Sequence, residues 1–229
     1  MRRGESRADA FVSQIQSLRF ANAFNPYAQV CGLFDKPDGP ELRRQNLRTV
    51  LDAALANGVE SVWIARDLGY RGGRRTGLAL TDEVHLASHA KLLRSAPLHQ
   101  ATRGPAVGER TALIVWRMLH LINAPVFLWN VFPLHPHDPN EPLSNRTHNR
   151  AERTASEPLL LWVLQHLNPK KVVAIGRDAK IALDEANIRS VAVRHPSYGG
   201  QSDFVRHIST IYGLPTSDDF SETENHVLI

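Results

Sequence analysis

Four short apolar runs decide what this chain can fold into: residues 61–65, 126–129, 171–175 and 190–193. Each is four or five residues long, and each is parted from the next by a stretch with helical periodicity, over residues 83–93 and 109–121, 151–167, and 176–186. Runs this short and this continuously apolar belong to strands buried on both faces, and strands that alternate with helices pair in parallel. The expected fold is α/β: a three-layer α/β/α sandwich around a central four-stranded, mostly parallel sheet. Two helices precede the sheet, over residues 8–19 and 41–56, and one follows it, over residues 202–212. A single domain is expected to span residues 1–215, leaving 216–229, with Asp218, Asp219, Glu222 and Glu224, as a partly ordered acidic tail.

Composition narrows the function classes. The one cysteine, Cys31, excludes an intrachain disulfide framework, a zinc site built on several cysteines and a cysteine-ligated iron–sulfur cluster within the chain. A formal net charge of +4 leans toward a polyanionic partner. The sequence contains neither a long apolar run nor a signal-peptide core, so a cytoplasmic protein without membrane contact is expected.

In an open parallel sheet, ligands bind beyond the carboxyl ends of the strands. Asp67, Asn130 and His195 each follow a different apolar run by no more than two residues. Together they offer a carboxylate for charge stabilisation or proton transfer, a carboxamide that both donates and accepts, and an imidazole that titrates near neutrality. The run before Asp67 empties into a loop of glycines and arginines, where Gly69, Gly72, Gly73 and Gly77 allow close backbone approach and Arg71, Arg74 and Arg75 add positive charge. No Gly-x-Ser-x-Gly turn and no phosphate loop is present, and Cys31 lies far from any strand end, so covalent catalysis is not expected. His135, His137 and Asp138 would suit a transition metal by ligand type, but the prolines between and beside them favour a polar loop. No metal and no cofactor is expected.

These residues resemble motifs of the uracil-DNA glycosylase superfamily, over roughly residues 25–212. Ala65-Arg66-Asp67-Leu68-Gly69-Tyr70 is similar to the family's GQDPYH, and Gly77-Leu78-Ala79-Leu80 to its later GLCF. Phe127-Leu128-Trp129-Asn130 is similar to LLLN, while Asn145-Arg146-Thr147 and residues 171–176 resemble NRTP and PKVIVALG of the bacterial iron–sulfur branch. His195-Pro196-Ser197 matches the last motif outright.

The resemblance implies a monofunctional glycosylase of the bacterial type, without an iron–sulfur cluster, that flips uracil out of DNA and hydrolyses its glycosidic bond. Asp67 would orient the water and stabilise a cationic sugar, Asn130 would read the uracil edge, and His195 would donate to the base oxygen that becomes anionic. The base-binding set would be Asn130, His195, Gly69, Tyr70, Leu80 and Phe132. Arg71, Arg74, Arg75, Arg194, Ser197 and Gln201 would hold flanking DNA, with Tyr198 filling the gap in the stack. The expected partner is DNA carrying uracil or a related damaged base, bound by a monomer. Gly69 stands where the best-known branch has a tyrosine that closes the pocket against the thymine methyl, and Leu80 stands where it has the phenylalanine on which uracil stacks. Tyr70, Phe132 or Phe24 would then supply the aromatic face. The basic stretch 71–75 lacks the histidine through which one branch traps its product, so turnover is expected. Three other readings compete: a glycosylase for hypoxanthine, xanthine or a modified pyrimidine, a non-catalytic binder of damaged or abasic DNA, and an unrelated open-sheet enzyme for a small nucleotide.

Overall fold

The computed structural model describes residues 6–215. Arg2, Arg3 and the acidic segment 216–229 lie outside the described residues. The central sheet comprises β2 (Ser61–Asp67), β3 (Val126–Phe132), β5 (Lys171–Ile175) and β6 (Val191–Val193), in the order β3-β2-β5-β6. All three pairings are parallel, so the sheet is parallel throughout. A small antiparallel pair, β1 (Ala23–Phe24) with β4 (His135–Pro136), lies outside it.

The continuous apolarity of the strands has a direct structural cause. Along β2, Val62 and Ile64 enter one core and Trp63 and Ala65 the other, and β3 divides in the same way, with Phe127 and Trp129 on one side and Val126 and Leu128 on the other. Burial of one large apolar side chain contributes about 1.5–3 kcal/mol, so a strand filled on both faces gains from every position. The first core is closed by α1 (Arg7–Ser17), α2 (Gly39–Asn57), α4 (Leu86–Leu93), α6 (Arg150–Leu167) and α7 (Arg177–Glu185). The second is closed by α5 (Arg110–Ile122) and α8 (Gln201–Tyr212), making the expected three layers.

Two strands run further than the sequence suggests. β2 continues to Asp67, and β3 passes through Asn130 to Phe132. Asn130 is therefore a mid-strand residue paired with Ala65, not a strand-end residue, because the Val-Phe after it extends the buried run. The polar segment beyond β3 also holds more order than expected, since His135–Pro136 forms β4.

The glycine-arginine loop folds inward. It contains the short helix α3 (Gly73–Thr76), ended by Gly77 in the left-handed region at φ 72°. A Cβ on Gly77 would lie 2.8 Å from the Cβ of Arg43, so glycine is required there by both conformation and space. Arg74 and Arg75 are buried. Arg74 lies over the Phe24 ring at 3.8 Å and donates to His135 Nδ1 and the Pro142 carbonyl, at 2.9 and 2.6 Å. Arg75 pairs with Glu83 at 3.0 Å and covers Phe34. The expectation that these two arginines hold DNA is corrected: each guanidinium is spent on the fold.

Candidate functional site

A cavity of about 400 Å³ opens beyond the carboxyl ends of β2, β5 and β6, where strand order turns from one side of β2 to the other. Ala65, Asp67 and Gly69 form one side, Ile175, Gly176 and Asp178 another, and His195, Ser197 and Tyr198 the rim after β6; Leu80, Glu109 and Thr111 are among the other lining residues.

Asp67, the last residue of β2, is 5% exposed at its side chain and held at both oxygens. Arg66 donates to Oδ2 at 2.7 Å and reaches Asp178 on α7 at 3.2 Å. His148 donates from Nδ1 to Oδ1. His148 owes its place to the start of α6, where Asn149 and Glu152 form a reciprocal capping box and Arg146 grips Glu152 with two hydrogen bonds. A carboxylate gripped on both sides has one orientation.

His195 follows β6. The Ser197 backbone N–H donates to its Nδ1 at 3.2 Å, with Ser197 Oγ 2.7 Å from the same nitrogen. Nδ1 is thus an acceptor, and in the neutral ring the proton sits on Nε2, which has no partner among the described residues. Burial, reinforced by the nearby charge of Arg66, lowers the His195 pKa to about 4. The ring is a neutral donor at pH 7.

Asn130 is not on the cavity wall. It is 1% exposed, and neither its Oδ1 nor its Nδ2 finds a partner among the described residues. Its strand neighbour Ala65 does line the cavity, and strand alternation turns Asn130 to the α5 side together with Leu128. A buried carboxamide with both groups unpaired costs free energy that hydrogen bonding to a ligand can recover.

The other expected residues divide. Gly69 and Leu80 line the cavity, Leu80 with φ 52°. Tyr70, Phe132 and Phe24 do not, which corrects the expectation of an aromatic face from one of them. The Tyr70 backbone donates to Asn145 and its hydroxyl accepts from Arg71, while Phe132 is sealed between Phe20 and His148. Phe24 lies beneath Arg74. Among the residues expected to hold DNA, Arg71, Arg194 and Gln201 are exposed, Ser197 is half-buried, and Tyr198 is 98% exposed with φ 50°. A shallow groove leads away from the cavity past Arg177, Arg194, Tyr198, Arg206 and His207. Arg177 and Arg206 are exposed along this groove, where Asp203 pairs with Arg206 at 2.6 Å.

His135 is satisfied structurally, its Nε2 donating to the Ser144 carbonyl at 2.8 Å and its Nδ1 facing Arg74. No group of three or more His, Cys, Asp or Glu side chains suited to a metal occurs among the described residues. Nor is any helix among them long and apolar enough to cross a membrane.

The family model of the uracil DNA glycosylase superfamily matches residues 67–209, more than half of the chain. The chain belongs to that superfamily. By class it is a DNA glycosylase, a hydrolase of DNA repair acting on DNA. Among solved structures it is similar to wild-type SMUG2 of Pedobacter heparinus, with a TM-score of 0.59 and 15% identity over 90% of this chain and 97% of that one. That likeness is one of fold. No curated protein matches the sequence. Glu109 and His148 both lie at the site, yet neither follows an apolar run and neither stands out in the sequence.

Proposed function

We propose that this glycosylase acts on uracil in DNA, releasing the base and leaving an abasic site. The observation that carries the reading is the presence of Asp67 and His195 in one cavity, the carboxylate fixed at both oxygens and the imidazole neutral with its proton on Nε2. The base leaves as an anion when the bond from N1 to C1′ breaks. His195 Nε2–H donates to the oxygen that gains this charge, and Asp67 stabilises the cationic sugar and orients a water. The water's hydroxyl joins C1′, and its proton balances the departing base. Loss of one such prearranged donor typically costs about 2.7–4 kcal/mol of barrier stabilisation.

In this proposal Asn130 reads the base edge once entry of the base opens the cavity to its enclosed carboxamide, which supplies an unpaired acceptor and donor. The base reaches the cavity by leaving the duplex, and the cost of a few kcal/mol is offset by contacts to distorted DNA. Arg177, Arg194 and Arg206 are placed to meet phosphates along the groove, and Tyr198 projects where the stack loses its base.

The test is alkali cleavage of a uracil-containing oligonucleotide after incubation without added metal, beside a thymine control. Uracil strands should break and thymine strands survive, with activity lost in Asp67→Asn and His195→Ala. An intact uracil strand at high enzyme concentration overturns the proposal. Equal activity in both variants overturns the site assignment.

A further inference from the structure

Glu109 has no ordinary structural employment. It is the N-cap residue of α5, but its side chain makes no capping hydrogen bond. Its backbone N–H is held instead by Asp82 Oδ2 at 2.7 Å, which fixes where the side chain starts. Its carboxyl group forms no hydrogen bond or ion pair among the described residues, although it lines the cavity that holds Asp67 and His195. It rests on backbone that carries no side chain. A Cβ on Gly69 would lie 3.2 Å from Oε1, and one on Gly72 would collide with Oε2. The two glycines thus leave a recess, and the carboxyl of Glu109 fills it.

An unpaired carboxyl in a half-enclosed cavity is costly unless a partner arrives. Burial, with the negative charge of Asp82 added and Arg71 opposing, raises its pKa above the usual carboxylate range. Two unpartnered polar groups therefore flank this layer: Glu109 on the cavity wall, and Asn130 enclosed behind it, beside the wall residue Ala65. By strand alternation Asn130 faces α5, the helix that Glu109 precedes.

Resting on the glycosylase reading above, we propose that Glu109 is a specificity-determining residue: its carboxylate accepts a hydrogen bond from the extruded base at the glycine wall. The site then favours bases that bring a polar hydrogen, N–H or O–H, to that wall. It disfavours bases that bring a methyl group, because the methyl displaces water from the carboxylate and offers no hydrogen in return. Glu109 touches the base but transfers no proton.

The experiment compares single-turnover excision of uracil, 5-hydroxymethyluracil, hypoxanthine and thymine from otherwise identical oligonucleotides, by wild type, Glu109→Ala and Glu109→Gln. In Glu109→Ala, thymine excision should rise relative to uracil by about tenfold or more, and 5-hydroxymethyluracil should fall relative to uracil by a similar factor. Glu109→Gln keeps size and an acceptor without the ionisation. It should retain most of the preference at neutral pH but abolish the change in the base ratios that wild type shows as the Glu109 carboxylate is protonated at lower pH; that lost pH dependence carries the test alone if the alanine variant fails to fold. Base ratios within about twofold of wild type in Glu109→Gln and in every folded variant, with an unchanged pH profile, overturn the inference while leaving the glycosylase reading intact. Wild type that releases no base overturns that reading, and the inference with it.

Discussion

His148 Nδ1 donates a hydrogen bond to Oδ1 of Asp67 across 81 residues of sequence. The contact joins the end of the first central strand to the residue just before the N-cap of α6. Both side chains are 5% exposed, and the His148 ring also packs at an angle against Phe132. His148 does not line the cavity, so in the proposed reaction it would act through the carboxylate that it aims.

Removing it should misdirect Asp67 without emptying the site. His148→Ala is expected to slow single-turnover excision by roughly ten- to a hundredfold with little change in substrate affinity. His148→Asn, which can still donate, should recover part of the loss. The measurement that separates positioning from stability is a double-mutant cycle with Asp67→Asn: if His148 works through Asp67, the second substitution adds almost nothing to the first.

The histidines set the acid side of the pH response. Burial lowers the pKa of His89 to about 3 and of His135 to about 3, with the charge of Arg74 helping at His135; burial and then Arg66 lower His195 to about 4. The unfolded chain takes up these protons near pH 6.5, so it binds more protons than the native state between about 6.5 and 3–4. Stability is full above the upper value and falls as pH drops through the window, with a limiting slope of about 1.4 kcal/mol per pH unit for each histidine. Denaturant unfolding between pH 7 and 4 measures it. His89→Gln, at a residue that does not line the cavity, should flatten the slope by close to one proton while excision persists.

The buried and exposed arginines should respond in opposite ways. Arg74→Ala strips a guanidinium from Phe24, His135 and the Pro142 carbonyl, and should lower stability by roughly 2–4 kcal/mol, seen as a fall in Tm. Arg177→Ala and Arg206→Ala should leave Tm within a degree or two. They should weaken DNA binding and reduce the slope of log affinity against log salt by up to about 0.9 for each lost phosphate contact.

These contrasts mark where sequence reading succeeds and where it stops. Strands that fill two cores must be apolar at every position, so the runs around Trp63 and Phe127 were visible, and with them the positions of Asp67 and His195 near strand ends. Asn130 reads as a strand end in the sequence because a polar residue interrupts the apolar run, yet Val131 and Phe132 prolong that run and leave it inside β3. Arg74 and Arg75 read as a basic surface in the sequence but are buried, because residue type does not reveal which way a side chain turns. Their partners His135, Glu83 and Thr102 lie on separate segments and become neighbours only in the fold. Glu109 and His148 carry no local signature. Their significance comes from the recess at Gly69 and Gly72 and from the capping box at Asn149, both tertiary facts.

Tyr198 gives the cleanest separation of chemistry from base extrusion. It is 98% exposed, so truncation removes almost no packing and the fold should be unaffected. It sits two residues before Gly200, where a Cβ would press on the His195 carbonyl, so the loop presenting it is tied to His195. A duplex substrate must lose stacking to release its base, a cost of a few kcal/mol that a ring in the vacated space can offset, whereas a single strand has little stacking to lose. Tyr198→Ala should therefore slow excision from duplex uracil by about tenfold or more and from single-stranded uracil by less than about threefold, with Tyr198→Trp close to wild type on both. Matched single-turnover assays on the two substrates measure this. An equal loss on both would place Tyr198 in the chemistry of the pocket and remove it from the DNA stack.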